Sequence, residues 1–130
     1  LALAAVSTHD LPTIAGLWSG ADVEQQRRAG LVPDPSDFQR LRATLASVAK
    51  DADDARAVIL AAHRRLAASP SLLVAATMED ALRVEERPNL PGTTSEQAPN
   101  WSVALPESLE EIEVDPFVNE LATALRRGDP

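Results

Sequence analysis

Two short, wholly apolar runs constrain this chain more than any other feature. Leu1–Val6 is one. The other is Leu72-Leu73-Val74-Ala75-Ala76, inside Ser71–Thr77. Neither alternates polar with apolar residues, and each stops at a polar cluster. An unbroken apolar run of this length suits a strand buried on both faces, as in a parallel sheet. Its alanines weaken the strand propensity.

Between and after these runs the signals are helical. Ala21–Ala29 reads as a helix with Gly30 at its C-cap, and Pro33 and Pro35 then interrupt the chain. Asp37–Lys50 follows, with Ser36 as N-cap and a stripe of Phe38, Leu41, Leu45 and Val48. Ala52–Ala68 is the third helix. Asp51 caps it, Asp53 and Asp54 sit in its first turn, and Arg64 and Arg65 sit in its last, as the helix dipole favours. Its apolar face is Val58, Ile59, Ala62 and Leu66, and Pro70 stops it. After the second strand, Met78-Glu79-Asp80 opens a short helix. Glu86–Pro106 holds four prolines and one glycine without periodicity, so it reads as an ordered loop around Trp101. Asp115 as N-cap, Pro116 at N1 and Gly128 past the end mark a final helix over 115–127. Its stripe is Phe117, Leu121 and Leu125.

The expected fold class is therefore mainly α with one or two short strands. Both strands end in residues able to do chemistry, and working residues of (β/α)₈ barrels sit at the C-terminal ends of strands. Two such endings in succession point to the last two β/α units of a barrel. A closed barrel needs about 250 residues, whereas the chain has 130. We read residues 1–130 as a single C-terminal fragment, an expectation strengthened by a start without Met inside an apolar run. Strands without barrel neighbours would leave backbone groups unpaired. Pairing between chains, rearrangement or a disordered Leu1–Val6 is then expected, and a fragment dimer with it.

Composition excludes several functions. Net charge is −8, with only 12 Lys and Arg against 20 Asp and Glu, which argues against nucleic-acid and anionic-membrane partners. There is no Cys, and only His9 and His63 offer imidazole, so no metal site or cofactor is expected. Asp51, Asp53 and Asp54 lack the Gly and closing Glu of a calcium loop. No apolar run approaches the ~20 residues of a membrane span, and Leu1–Val6 lacks a basic n-region, so a cytoplasmic setting is expected. Aromatics are 3%, so Ala, Leu and Val must build a thin core. His63, beside Arg64 and Arg65, is expected at the surface. Glu107, Glu110, Glu111 and Glu113 read as a solvated acidic segment.

Two clusters are candidates for chemistry. Ser7-Thr8-His9-Asp10-Leu11-Pro12-Thr13 is either a turn bonded to its own backbone or a His–carboxylate pair for vicinal hydroxyls. A carboxylate accepts from two O–H groups while a His N–H donates to one. Such bonds strengthen as a sugar ring flattens toward an oxocarbenium ion. The second cluster runs from Glu86 through Asn89-Leu90-Pro91-Gly92-Thr93-Thr94 to Pro99-Asn100-Trp101. It is a proline-stiffened turn or the wall of a sugar cleft, with Asn89 and Thr93 as hydrogen-bonding groups. Trp101 suits stacking on a pyranose, although a lone loop Trp is more often a core plug. Glu79 and Asp80 read as a helix N-terminus favoured by the macrodipole.

In order, Ser7–Thr13, Gly16-Leu17-Trp18, Glu79-Asp80 after an apolar strand, Asn89–Thr93 and Pro99–Trp101 resemble the C-terminal region of amylomaltases, the 4-α-glucanotransferases. The motifs run from Ser7 to Trp101, while Val32–Ser69 matches only as helical filler. The resemblance implies a retaining transglycosylase of the α-amylase superfamily. It would move α-1,4-glucan segments onto the 4-hydroxyl of an acceptor glucan or glucose. Asp10 corresponds to its transition-state-stabilising carboxylate, with His9 beside it. Asn89, Thr93 and Trp101 would bind substrate. The nucleophile and acid/base would lie on earlier strands, so the fragment alone is expected to be inactive. A helical interaction module and a non-catalytic glucan-binding fragment are the alternatives.

Overall fold

The computed structural model describes residues 2–50 and 52–126. In chain order the elements are β1 (Leu3–Ala5), α1 (Ile14–Ser19), α2 (Ala21–Arg28), α3 (Pro35–Val48), α4 (Ala55–Ala67), β2 (Leu73–Ala75), α5 (Met78–Ala81), α6 (Leu109–Val114) and α7 (Pro116–Leu125). Among the described residues the chain is thus mainly helical with two short strands.

β1 and β2 pair with each other in parallel, with Leu3 opposite Leu73, Ala4 opposite Val74 and Ala5 opposite Ala75. Their carboxyl ends therefore face the same way, and the segments after Ala5 and Ala75 leave from one end. Burial on both faces is not found. Leu3 is 65% exposed and Leu73 61%. Two strands with no further sheet neighbours among the described residues cannot cover their own side chains.

Local capping chemistry explains most helix ends. Thr13 accepts from the Gly16 N–H to start α1, which ends at Gly20 with φ +90°, a conformation natural to glycine. α3 begins earlier than expected. Asp34, not Ser36, is its N-cap, because Pro35 fits N1 without needing its N–H. α4 is capped by Asp54, which accepts from Ala57 N–H. Asp51, the expected cap, lies outside the described residues, as do Leu1 and Gly128. Asp115 caps α7 by accepting from both Phe117 and Val118 N–H groups. The acidic stretch after Pro106 is not wholly irregular. Ser108 and Glu111 close a reciprocal capping box that starts α6.

The main core lies between α1, α4, α5 and α7. It is built on Ile14, Val58, Ile59, Ala62, Phe117 and Leu121, while α3 buries no residue. His63 belongs to this core and is fully buried, contrary to its expected surface place. It stands one helical turn after Ile59, so periodicity outweighs its neighbours Arg64 and Arg65. Its Nδ1–H donates to the Ile59 carbonyl at 2.8 Å, and Nε2 has no protein partner. A small second cluster, Ala29, Leu90 and Ala98 with Leu31, seats the long loop on the end of α2. Among the described residues no helix is long and apolar enough to cross a membrane.

Candidate functional site

The site lies where β1 ends. Ser7, buried, donates to Asp80 Oδ2 at 2.5 Å, and the Ile14 N–H donates to Asp80 Oδ1 at 2.8 Å. One carboxylate from α5 thus pins the chain just before Thr8 and again where α1 begins. Between those pins the segment arches outward and turns through a Leu11 N–H bond to the Thr8 carbonyl at 3.0 Å. Thr8, His9 and Asp10 are exposed at its crest. Asp80 is therefore more than an acid favoured by a helix dipole. It is fully buried and holds the site's backbone.

The 86–106 loop crosses over this crest. Asn89 Nδ2 donates to Asp10 Oδ1 at 2.6 Å, across 79 residues of sequence. His9 Nε2 lies 3.5 Å from Asp10 Oδ2. The His9 and Trp101 rings are 4.9 Å apart between centroids, tilted by 52°. Trp101 is no core plug. It is 65% exposed, and its φ of 62° is a left-handed conformation that bulky residues seldom adopt. Its N–H donates to the Pro88 carbonyl at 2.8 Å, which holds the turn. Thr93 stands apart from Asp10. Its hydroxyl donates to the Leu90 carbonyl at 2.7 Å and accepts from Asn100 Nδ2 at 2.8 Å, while Asn100 Oδ1 accepts from the Leu90 N–H at 2.9 Å. His9, Asp10, Asn89 and Trp101 are thus brought together, and Thr93 braces the loop that carries two of them.

Three residues outside the expected set reach this place. Arg87 Nη1 donates to the Asp10 carbonyl at 2.8 Å. The same guanidinium meets Asp22 Oδ1 through Nε at 2.8 Å and Nη2 at 2.6 Å. Gln25 bonds the Arg87 main chain twice: its Nε2 donates to the carbonyl and its Oε1 accepts from the N–H, both at 3.1 Å. Asp22 and Gln25 stand three apart on one face of α2, a spacing visible in the sequence. Nothing local says that this face looks inward.

The arrangement offers a carboxylate with remaining acceptor sites, an imidazole and an exposed indole in one open arc. An ionised carboxylate has about four lone-pair sites, and Asn89 takes one. A concavity of about 1000 Å³ lies elsewhere, between α1–α2 and α3 beside Trp18 and Phe38, and none of these four residues lines it. No group of three or more His, Asp or Glu suited to a metal ion occurs among the described residues.

Two short parallel strands set among helices, with a polar segment leaving their carboxyl ends, define the class of fold. The chain belongs to the 4-alpha-glucanotransferase family, whose model matches residues 1–109. It is 35% identical, over 143 aligned positions, to the 4-alpha-glucanotransferases of Mycobacterium bovis and Mycobacterium tuberculosis. That alignment covers 95% of this chain and 20% of each relative, so the chain spans about a fifth of their length. The crystal structure of amylomaltase from Corynebacterium glutamicum matches 98% of the chain and 22% of that protein. Its TM-score is 0.80 at 24% identity, a likeness of fold.

Proposed function

We propose that these residues form one wall of the donor-sugar site of a 4-α-glucanotransferase. The whole enzyme transfers α-1,4-glucan segments to the 4-hydroxyl of an acceptor glucan or glucose. The observation that carries this is the meeting of Asp10 with His9, Asn89 and Trp101 from segments 79 residues apart. Asp10 accepts from two vicinal hydroxyls and stabilises the oxocarbenium-like transition state of a retaining reaction. His9 donates to one of those hydroxyls. Asn89 holds the carboxylate in register, and the exposed face of Trp101 gives a pyranose ring a surface to stack on. Thr93 keeps one lone pair for a sugar hydroxyl beyond its two loop bonds.

On this reading β1 and β2 are the last two strands of a (β/α)₈ barrel. The nucleophile and the acid/base carboxylate lie in the part of the relatives that this chain does not span. A retaining mechanism needs both across the scissile bond, so the 130-residue chain alone should not turn over. Incubation with maltotriose, followed by chromatography of the sugars, is expected to leave the trisaccharide intact. Glucose and longer maltodextrins formed by the purified chain would overturn this assignment of roles.

A further inference from the structure

We propose that Arg87, gripped by Asp22 and Gln25 on one face of α2, is a positioning residue that sets the Asp10 carboxylate for the sugar. The inference rests on the reading of Asp10 just given. Arg87 acts at two points on the same residue. Its Nη1–H holds the Asp10 carbonyl at 2.8 Å, while its own chain, two residues on, delivers the Asn89 amide to Asp10 Oδ1 at 2.6 Å. Main chain and side chain of Asp10 are thereby fixed from one anchor.

That anchor is built. The side chains of Arg87 and Asp22 are 8% and 3% exposed. Asp22 Oδ2, the oxygen left free by the guanidinium, accepts from Gln26 Nε2 at 2.8 Å. Gln25 copies a backbone bridge onto Arg87, and Arg28 of the same helix pairs with Glu86. A buried ion pair adds little net stability beyond its desolvation cost. Its effect here is geometric. Only a planar fork reaches Asp22 through two nitrogens and Asp10 through a third; a lysine ammonium cannot span both.

The test uses the ¹⁵N-labelled full chain and maltoheptaose as probe. The Asn89 side-chain amide, bonded to Asp10, should give a shifted, exchange-protected resonance, and Asp10→Ala, which leaves no side-chain acceptor, should calibrate its loss. Arg87→Lys keeps the charge, and it is expected to lose the Asn89 signature and to bind maltoheptaose about tenfold more weakly, as for one charge-assisted hydrogen bond. If Arg87→Lys does not fold, Gln25→Ala decides, because it loosens the grip without stranding a buried charge. A folded Arg87→Lys, or in its place Gln25→Ala, that retains the Asn89 signature overturns the positioning role. Loss of the signature with Asp10→Ala still binding maltoheptaose as the unaltered chain does would instead overturn the sugar-contact reading, and leave Arg87 as the residue that orients Asp10.

Discussion

Replacing Asp80 by alanine tests the physical basis of the site most directly. Asp80 is fully buried and accepts two hydrogen bonds, from Ser7 Oγ at 2.5 Å and from the Ile14 N–H at 2.8 Å. Neither donor is charged. Alanine strands the Ile14 N–H and leaves the Ser7 hydroxyl only Thr77 Oγ1, at 3.4 Å. A stranded donor costs about 1–3 kcal/mol, so the loss is about 1–3 kcal/mol from Ile14 with a smaller share from Ser7, a sizeable part of a typical domain's 5–15 kcal/mol. Asp80→Asn should cost less, roughly 1 kcal/mol. Its amide oxygen still accepts from Ile14, and the Ser7 hydroxyl can rotate to accept from the new NH₂. Ser7→Ala should cost about 1 kcal/mol alone and almost nothing once Asp80 is alanine, because the pair is coupled. Urea unfolding followed by helical circular dichroism measures all four chains. Amide exchange at Ile14 shows whether the loss is local to the crest. A cost below about 0.5 kcal/mol for Asp80→Ala, or full additivity with Ser7→Ala, would refute the pin.

Asp115 caps α7, and bonds from the Val118 N–H, then the Phe117 N–H and the Arg83 charge, hold its carboxyl below the usual range. A depressed folded value adds stability above the unfolded pKa of about 3.9 and loses it as pH falls through the folded value, so Asp115→Ala should cost about 1 kcal/mol near neutrality and almost nothing in strong acid, read from urea midpoints across pH. Gly16→Ala should destabilise sharply, since an added Cβ would meet the Glu85 carbonyl oxygen at 2.0 Å; an unchanged melting temperature would show that the 85 backbone yields freely. Leu3, Leu72 and Leu73 are each more than half exposed beside the strand pair, so the isolated chain should dimerise as concentration rises, and Leu73→Lys should hold it monomeric in light scattering.

Much of this molecule is written in short stretches of its sequence. Asp115-Pro116 starts α7, because a cap needs only the next three residues, whereas α1 and the Gly20 that ends it went unread. Where several acids compete, the choice is harder to read. Asp34 took the cap expected of Ser36, and Asp54 rather than Asp51 caps the described start of α4. The Ser7–Thr13 and Asn89–Trp101 motifs singled out, by type and order, the four residues His9, Asp10, Asn89 and Trp101 that the fold brings together.

Tertiary structure decided which of those residues meet, and which polar groups are buried. Asp10 and Asn89 join across 79 residues, Asp22 and Arg87 across 65, and Ser7 and Asp80 across 73. No local signal covers such separations. The same reason explains His63 inside the core, Trp101 outside it, and strands that look buried in sequence yet stand half open. Periodicity along a chain says that residues share a face; what that face meets depends on elements folded in from far away, and here the two short strands find only each other among the described residues.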